Sequence, residues 1–481
     1  MDNQTPNEQK EQKNTPTKRV NKKIWYGVAA GAMTAISFFG GFCVRWFTIE
    51  PEMRTLIDVK NKIDEEYYKD VSDEEFYGAV FDAVNRGVLD AYSQYMDKEA
   101  YAEVTSDMKG NRDGVGLVFL TSNEKGEPQM LVTRVCGNSP AEAAGITAGS
   151  YVVGFGKTES EIKKSVVFDD FFNFLQEFDA GENFFVRVLE GGEERTVSLH
   201  KSAYVENLVF YRTNELSYTI TGETAGSVKT VGKPLTALDN DTAYIRLVQF
   251  SGNAAKEFKG AMERFRADGK KNLVLDLRGN GGGSLDVMRE IAGYLCKTTE
   301  KKPVVAIADY GERREKFRAN FNVYNEYFTG DSRICVLADN ETASASECLI
   351  GAMLDYGTIS YADVCLSGVG ESAKTYGKGI MQTTFYLNLL KGDAIKLTTA
   401  QIRWPISDTC IHDRGILSSD GTKRVAKTYE GDIELIQAIT ELFSRKRRAH
   451  TRVVCALTFL LRRCSEKTKA LFTGTVYNAF A

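Results

Sequence analysis

Ser344 stands where a serine hydroxyl could act as a nucleophile. It follows the apolar run Ile334–Asp339 and precedes a helical pattern, so it would lie in a strand-to-helix turn at the edge of a sheet. The N–H groups at the start of that helix would then point at a developing oxyanion. The alternative is that Ser344 and Ser346 only cap the helix, because serine is a preferred N-cap residue. On these residues alone both interpretations stay open.

A glycine-rich stretch, Arg278 to Gly283, follows a second strand-like run, Val274–Leu277. Glycines at the end of a buried strand let backbone N–H groups point into a crevice, where an anion or an oxyanion can be stabilised. The same pattern occurs in phosphate sites and tight turns, although the GxxxxGK[ST] spacing of a nucleotide-binding loop is absent. The stretch is therefore a candidate oxyanion site that needs support from other residues.

Lys378 lies between two glycines and begins an apolar, strand-like run. A lysine in an apolar setting can lose its proton, and the neutral amine can then accept the proton of a serine hydroxyl. Working near pH ~7 requires the lysine pKa to fall by ~3 units from ~10.4, which corresponds to ~4 kcal/mol of desolvation and neighbouring positive charge. The alternative is a solvent-exposed lysine in a hairpin turn, the usual environment of this residue type.

In their order along the chain these motifs resemble those of the carboxy-terminal processing proteases. The matching segments are DLRGNGGG, TASASE, DYG and KTYGKGIMQ, within a resemblance that covers roughly residues 53–443. The resemblance implies that Ser344 is the nucleophile, that Lys378 is the general base and that Gln382 orients the lysine. The implied oxyanion donors are the backbone N–H groups of Ala345 and of Gly282 or Gly283.

The segment 111–202 has the pattern of a small, separate module. Short strand-like runs such as GVGLVFL and YVVGFG flank a short helical pattern within Ser139–Gly149 that ends in glycine. The same resemblance implies that this module is a PDZ domain inserted in the protease. Its partners would be protein or peptide substrates with free C-termini, although a module that only holds the protease shut or acts as a rigid spacer stays open. The implied carboxylate-binding loop consists of Gly114, Val115, Gly116 and Leu117.

The N-terminal part of the chain predicts a membrane anchor. Residues 1–23 are polar and end in a basic cluster, which is typical of a disordered, solvated tail. Ile24–Val44 is uncharged over the ~20 residues that a helix needs to cross a bilayer. Because the basic flank precedes it, the positive-inside rule predicts a single-pass cell-membrane protein with a cytoplasmic N-terminus and an extracytoplasmic catalytic domain. A cleaved signal peptide is the alternative, but no A-x-A pattern follows the apolar run.

Beyond the predicted PDZ domain, strand-like and helical patterns alternate, which predicts a parallel sheet with crossover helices. We therefore expect an α/β fold. By resemblance, it is a crotonase/ClpP-like αββ protease core with an inserted PDZ domain, an N-terminal helical segment and one N-terminal transmembrane helix. The expected domains are a disordered cytoplasmic tail (1–23), a transmembrane helix (24–44), the N-terminal helical segment of the protease (53–109), the PDZ domain (111–202), the peptidase core (203–443) and a basic and apolar C-terminal extension of unknown role (444–481).

Composition excludes several other classes of function. The net charge of −4 comes without a strongly basic central region, so we expect no nucleic-acid partner. Three scattered histidines and nine cysteines without metal-ligand spacing predict no metal or other cofactor. Three alternatives stay open: a catalytically silent, membrane-tethered peptide-binding scaffold, a crotonase-like enzyme acting on acyl-CoA, and a hydrolase whose base is His412. A homo-oligomer is also compatible with the sequence, which does not determine the oligomeric state.

Overall fold

The computed structural model describes residues 49–123, 125–368, 373–388, 392–428 and 432–443. The chain forms two compact units, Met1–Val88 and Leu89–Ala481. The predicted tail, the predicted transmembrane helix and the C-terminal extension lie outside the described residues. Among the residues that the structure does describe, no helix combines the length and the hydropathy needed to cross a membrane.

Helices and strands follow one another along most of the described chain. The helices are α1 (Pro51–Glu66), α2 (Asp73–Gly87), α3 (Lys98–Met108), α4 (Pro140–Ala143), α5 (Phe168–Gln176), α6 (Ala254–Ala267), α7 (Leu285–Leu295), α8 (Tyr324–Tyr327), α9 (Ala345–Asp355) and α10 (Ile433–Phe443). The strands are β1 (Gln94–Met96), β2 (Asn111–Gly114), β3 (Leu117–Ser122), β4 (Pro128–Val135), β5 (Tyr151–Gly156), β6 (Lys163–Lys164), β7 (Asn183–Glu190), β8 (Glu193–His200), β9 (Ser202–Val205), β10 (Val209–Arg212), β11 (Ser217–Ile220), β12 (Val228–Thr230), β13 (Thr242–Leu247), β14 (Asn272–Asp276), β15 (Val304–Asp309), β16 (Arg314–Arg318), β17 (Ile334–Asp339), β18 (Val364–Ser367), β19 (Ile380–Asn388), β20 (Asp393–Arg403) and β21 (Lys423–Val425).

The first unit contains the helices α1 and α2. Ser72 caps α2, because its hydroxyl accepts a hydrogen bond from a backbone N–H of the first turn. Lys60 on α1 is buried, and its Nζ lies 2.9 Å from the carboxylate of Asp73, so an ion pair joins the two helices. The predicted helical segment 53–109 is therefore divided. Its last part, residues 89–109, belongs to the second unit and contains the strand β1 as well as α3.

An eight-stranded sheet forms the centre of the second unit, in the order β12-β11-β10-β13-β14-β17-β18-β21. The strands from β13 to β21 run parallel, whereas β12, β11 and β10 are antiparallel additions that the sequence pattern did not indicate. The parallel part has the predicted crossover helices, with α6 between β13 and β14 and α9 between β17 and β18. Since β14 and β17 are parallel neighbours, their carboxyl ends bring the glycine stretch and Ser344 to the same edge.

Apolar side chains cover both faces of this sheet. Helices α6, α7 and α9 pack on one face against residues that include Leu273 and Leu275. Helix α10 packs on the other face with Val274 and Leu337. Successive residues of β14 thus point to opposite layers, as expected for a strand that is buried on both sides. This burial explains why the parallel strands are continuous apolar runs in the sequence.

A second sheet carries the chain that follows Lys378. Its order is β1-β20-β15-β16, and β19 forms an antiparallel hairpin with β20. Strand β1 pairs with residues 394–396 of β20, and the side chain of Met96 in β1 is buried. This pairing anchors the short segment before β1, which includes Tyr92, to the same sheet as β19.

Between β2 and β9, residues 115–201 form a unit with its own apolar core, which we call the small module. Its sheet has the order β3-β4-β5-β7-β8, with β6 paired to β5, and its core includes Met130, Phe171 and Phe184. Strand β3 lies at one edge of this sheet. The strands β2 and β9 pair with each other as an antiparallel ribbon, so the chain enters and leaves the small module side by side.

Candidate active site

Ser344 occupies the turn between β17 and α9. It stands at the N-cap position of α9, as the capping alternative expects, but its φ of 57° and ψ of −117° differ from the extended conformation usual for an N-cap. A positive φ is uncommon for a residue with a side chain, and such strain is concentrated at functional sites. Ser346 differs from Ser344: its hydroxyl is buried and donates to the carbonyl of Asn280 at 2.9 Å. Of the two serines, the partly exposed Ser344 is the better candidate nucleophile.

The glycine stretch lies directly against this turn. A Cβ atom on Gly282 would be 2.8 Å from the Cβ of Ser344 and 2.9 Å from the backbone nitrogen of Ala345, so no side chain fits there. The N–H of Gly282 donates to Oδ1 of Asn280 at 2.9 Å and is therefore engaged within the loop. Of the predicted oxyanion donors, the N–H groups of Gly283 and Ala345 are better suited, and Ala345 begins α9, where backbone N–H groups lack intrahelical partners.

A buried carboxylate joins the two segments that carry the predicted serine and lysine. Oε2 of Glu347 accepts the backbone N–H groups of Ser344 and Lys378, each at 2.9 Å. Oε1 accepts the N–H of Gly377 at 2.8 Å and the hydroxyl of Thr375 at 2.6 Å. Burial raises the pKa of Glu347, and these four hydrogen bonds act in the opposite direction. The structure thus brings the backbones of Ser344 and Lys378, predicted from separate motifs, to the same oxygen of one side chain.

The amine of Lys378 is in a partly desolvated environment. Its Nζ lies 4.9 Å from the centre of the Tyr92 ring. Burial lowers the pKa of Lys378, the positive charge of Lys396 lowers it further, and the negative charge of Asp90 opposes both effects. The direction is the one that a general base requires. It differs from what a solvent-exposed hairpin lysine would show.

Gln382 and His412 both lie close to this lysine along the chain or in space. Gln382 is in β19 next to a bulge, and its buried Nε2 has no hydrogen-bond partner among the described residues. A Cβ atom on Gly379 would be 2.6 Å from the backbone nitrogen of His412, so His412 packs against the residue that follows Lys378. Its buried Nδ1 also lacks a partner in the part of the chain that the structure describes. No hydrogen bond from Gln382 to Lys378 is seen in the described structure, so its orienting role stays a prediction.

Charged residues below the glycine stretch form a buried network that the sequence reasoning missed. Asp276 accepts hydrogen bonds from Tyr244 at 2.7 Å and from Arg278, which also donates to Glu434 at 2.6 Å. Burial raises the pKa of Asp276, but the adjacent Arg278 guanidinium outweighs this effect and the net pKa is lowered. The network fixes the end of β14. Within the described ranges, no group of three or more His, Cys, Asp or Glu side chains is arranged to hold a metal ion.

Tyr92 and Glu347 were also missed as members of the site. Tyr92 is far from Lys378 in sequence, and no local pattern around it indicated chemistry. Glu347 is the last residue of the TASASE segment, and its position in the sequence is typical of an ordinary first-turn residue of a helix. The signal available in the sequence was its position three residues after Ser344, because a glutamate at this spacing can accept a hydrogen bond from the N–H of the N-cap residue.

The predicted carboxylate-binding loop begins at the ribbon and leads into the edge strand β3. The carbonyl of Val115 accepts the N–H of Ala141 at 3.0 Å, and the carbonyl of Gly116 accepts that of Cys136 at 2.9 Å. Gly116 has a φ of 82° and touches Ser139, so a side chain is excluded there. Gly114 closes β2 with a φ of 131°, and Leu117 begins β3. The loop is thereby held against the start of α4.

Comparisons with known proteins show similarity to one peptidase family over part of the chain. Residues 241–418 match the model described as "Peptidase family S41". A "Probable CtpA-like serine protease" of Staphylococcus saprophyticus is 27% identical over 365 residues, which cover 76% of this chain and 64% of that protein. A protein of the same description from Staphylococcus haemolyticus is 25% identical over 74% of this chain and 61% of its own length.

This chain thus spans less than two thirds of the length of these relatives. Among solved structures, the photosystem II D1 C-terminal processing protease aligns over 82% of this chain and 97% of its own, with 21% identity and a TM-score of 0.43. The family match includes the glycine stretch and both segments that Glu347 joins. Over residues 241–418 the chain is similar to peptidase family S41, and the relatives that it matches are described as probable serine proteases.

Proposed function

We propose that this protein is a serine endopeptidase in which Ser344 is the nucleophile and Lys378 is the general base. The observation that carries the proposal is the shared hydrogen bonding of both backbones to Oε2 of Glu347. This carboxylate fixes the main chains from which the hydroxyl and the amine extend, and holding reacting groups in place removes much of the entropic barrier to their reaction. The family match to S41 peptidases supports the same assignment.

The chemistry follows from the groups at this edge. Neutral Lys378 accepts the proton of the Ser344 hydroxyl while Oγ attacks the scissile carbonyl, and the resulting oxyanion is stabilised by the N–H groups of Ala345 and Gly283. The Lys378 ammonium then returns the proton to the leaving amine, which leaves an acyl-enzyme on Ser344. A water molecule attacks this ester with Lys378 again as the base, releases the carboxylic acid product and regenerates the serine hydroxyl.

The test is cleavage of an unfolded model protein by the full chain and its variants. We expect Ser344→Ala and Lys378→Ala to abolish cleavage, because each removes one of the two groups that the reaction requires. Matched controls are Ser407→Ala and Lys374→Ala, since both residues are exposed and lie in the same unit. Thermal unfolding of each variant checks the fold.

Full activity in Lys378→Ala would overturn the assignment of the base and would favour His412 instead. If the folded wild type cleaves nothing, the proposed endopeptidase function fails and the catalytically silent scaffold replaces it. Ser346→Ala is unsuitable as a control, because its hydroxyl supports the glycine stretch through Asn280.

We further propose that the small module is a PDZ domain that binds the C-terminal tail of the substrate. Its edge strand β3 can accept an added strand. Beside this strand, the ring centres of Phe168 and Phe171 in α5 lie 5.8 and 5.9 Å from the ring centre of Phe119 in β3. The residues Gly114 to Leu117 would receive the terminal carboxylate. A peptide with a free C-terminus should therefore be cut with a higher kcat/KM than the same peptide with an amidated C-terminus, and equal values would exclude this role.

The predicted anchor at Ile24–Val44 completes the proposal: a single-pass protein of the cell membrane with its catalytic unit outside the cytoplasm. The support is the uncharged run and its basic N-terminal flank. Replacing Ala30 and Ala35 by arginine should release the full chain from the membrane fraction, because a charge at the centre of a spanning helix is costly. Retention of this double variant in membranes after an alkaline wash would contradict the anchor.

A further inference from the structure

The segment Asp90–Met96 brings an aromatic ring to the proposed catalytic base. Its end is anchored by the pairing of β1 with β20 and by Ser93, whose hydroxyl accepts the N–H of Thr398 at 2.9 Å. Its start is folded by a hydrogen bond of 2.9 Å from the N–H of Tyr92 to the carboxylate of Asp90. Both ends of the segment are therefore fixed, so the position of Tyr92 between them is defined by the fold.

The ring of Tyr92 covers the amine of Lys378. The distance from Nζ to the ring centre is 4.9 Å, within the range of a cation–π contact. The Tyr92 hydroxyl donates to the hydroxyl of Tyr376 at 3.4 Å, and Tyr376 is two residues before the lysine. The same ring meets His412 edge-on at 6.5 Å. Tyr92 thus contacts Lys378, the segment that leads to it through Tyr376, and His412.

We propose that Tyr92 is a positioning residue that holds the Lys378 amine in place and shields it from water. This inference rests on the proposed function, because it concerns the base of that reaction. The ring can act in two opposite ways on the proton of the amine. Its face attracts the ammonium form, whereas its bulk removes water that would solvate that form. Because burial is the largest cause of the lowered pKa of Lys378, we expect the exclusion of water to be the stronger effect.

Other groups around Lys378 contribute fixed charges or hydrogen bonds that Tyr92 variants leave in place. Asp90 precedes Tyr92 in the same segment, and Lys396 lies on β20. The Tyr376 hydrogen bond raises the pKa of Tyr92 itself to about 12, so the phenol is neutral at any pH where the protease would be assayed. The remaining groups are the Glu347 carboxylate at the backbone of Lys378, and His412 with its neighbour Asp413.

The experiment compares the pH dependence of kcat/KM for the full-length wild type, Tyr92→Phe and Tyr92→Ala. Phenylalanine keeps the ring and should keep both the rate, within about twofold, and the position of the limb that rises with pH. Alanine admits water to the amine, so the limb should move to higher pH. The loss in kcat/KM should then be about tenfold at pH 7 and should shrink as the pH rises, because the amine loses its proton in both proteins.

The control is Tyr101→Ala, which removes a tyrosine that contacts Tyr386 instead of Lys378 and should leave the pH profile unchanged. A loss in Tyr92→Ala that is equal at every pH would mean that the ring has only a structural role and would overturn the inference. A Tyr92→Phe variant as impaired as Tyr92→Ala would overturn it as well, since the hydroxyl and not the ring would matter. Both results leave the proposed function intact, since that function is tested separately by wild-type cleavage and by the Ser344 and Lys378 variants.

Discussion

Two regions are each held by a buried glutamate: the turn between β17 and α9, which contains Ser344, and the neck, which we define as residues 206–209 from the end of β9 to the start of β10. Glu347 on α9 holds the turn, and Glu257 on α6 holds the neck by accepting the N–H of Leu208 at 2.7 Å, that of Val209 at 3.2 Å and the amide of Asn207 at 2.7 Å. Burial raises the pKa of both carboxyl groups. Neither forms an ion pair with another described residue.

The difference lies in what each carboxylate connects. Glu257 receives three donors from one continuous segment, so it fixes the direction in which the chain enters the large sheet. Glu347 receives donors from two segments about thirty residues apart and joins the proposed nucleophile to the proposed base. In the proposed mechanism, a buried carboxylate that accepts backbone N–H groups would therefore support stability at the neck and reactivity at the turn. Substitutions at the two glutamates should have different consequences.

The largest effect is expected for Glu347→Gln. An amide has one oxygen in place of two, so two of the four donors meet an NH2 group that cannot accept: either the N–H groups of Ser344 and Lys378, or the two donors that precede Lys378. In both orientations the segment that carries Lys378 loses hydrogen bonds that hold it against the turn. We expect kcat to fall by about 100-fold with little change in KM, as displacement of reacting groups by about 1 Å can produce. Steady-state kinetics with a peptide substrate measures this change.

The matched control is Glu341→Gln, an exposed glutamate of the same loop. Its kcat should equal that of the wild type. If Glu347→Gln retained the wild-type kcat while losing thermal stability, Glu347 would act only as Glu257 does, and the contrast between the two regions would disappear.

An intermediate effect, on stability alone, is expected for Glu257→Gln. The pKa of Glu257 is raised to about 7 by burial, so between pH 4.5 and 7 the folded protein binds a proton that the unfolded chain has released. Wild-type stability should therefore decline as pH rises through this range, by up to about 3 kcal/mol, and level off above it. The glutamine variant lacks this contribution. The measurement is the midpoint of thermal unfolding of both proteins from pH 5 to 8. The midpoint of the variant minus that of the wild type should increase with pH, while kcat for a short peptide stays unchanged.

A constant difference between the two unfolding midpoints over this pH range would show that Glu257 does not titrate as described. A large loss of kcat in Glu257→Gln would show that the neck, like the turn, controls the chemistry.

The smallest effects concern the two charges that act on the pKa of Lys378. Lys396→Gln removes a positive charge that lowers the pKa of Lys378, so the rising limb of kcat/KM should move to higher pH. Asp90→Asn removes a negative charge that raises the same pKa, so the limb should move to lower pH. Shifts in the same direction for both variants would contradict the electrostatic origin of the lowered pKa. High salt should reduce both shifts, because screening weakens interactions between partly exposed charges.

Much of the fold followed from local sequence patterns. The strand β17 has the predicted bounds, Ile334–Asp339, because it is a continuous apolar run with clear ends. The strand β1 was not predicted, since its three residues become a strand only by pairing with β20. The antiparallel strands β10 to β12 were also missed, because short strands with mixed patterns depend on their neighbours.

The site divides in the same way. Ser344 and Lys378 could be singled out because their motifs are local, whereas their relation depends on Glu347 and on contacts over a long separation in the chain. The oxyanion donors needed the structure as well, since only hydrogen bonding within the loop distinguishes Gly282, which is engaged by Asn280, from Gly283. Tyr92 carries no local signal and reaches the lysine only because β1 pairs with β20.

The most direct test of the central claim is to identify the hydroxyl that becomes acylated during turnover. The full chain would be mixed with an activated ester of a peptide, quenched with acid and digested for peptide mapping by mass spectrometry. The account predicts an acyl group on Ser344 that forms rapidly in the wild type and much more slowly in Lys378→Ala. An acyl group on Ser346, equal rates of acylation with and without Lys378, or turnover without any adduct on Ser344 would contradict it.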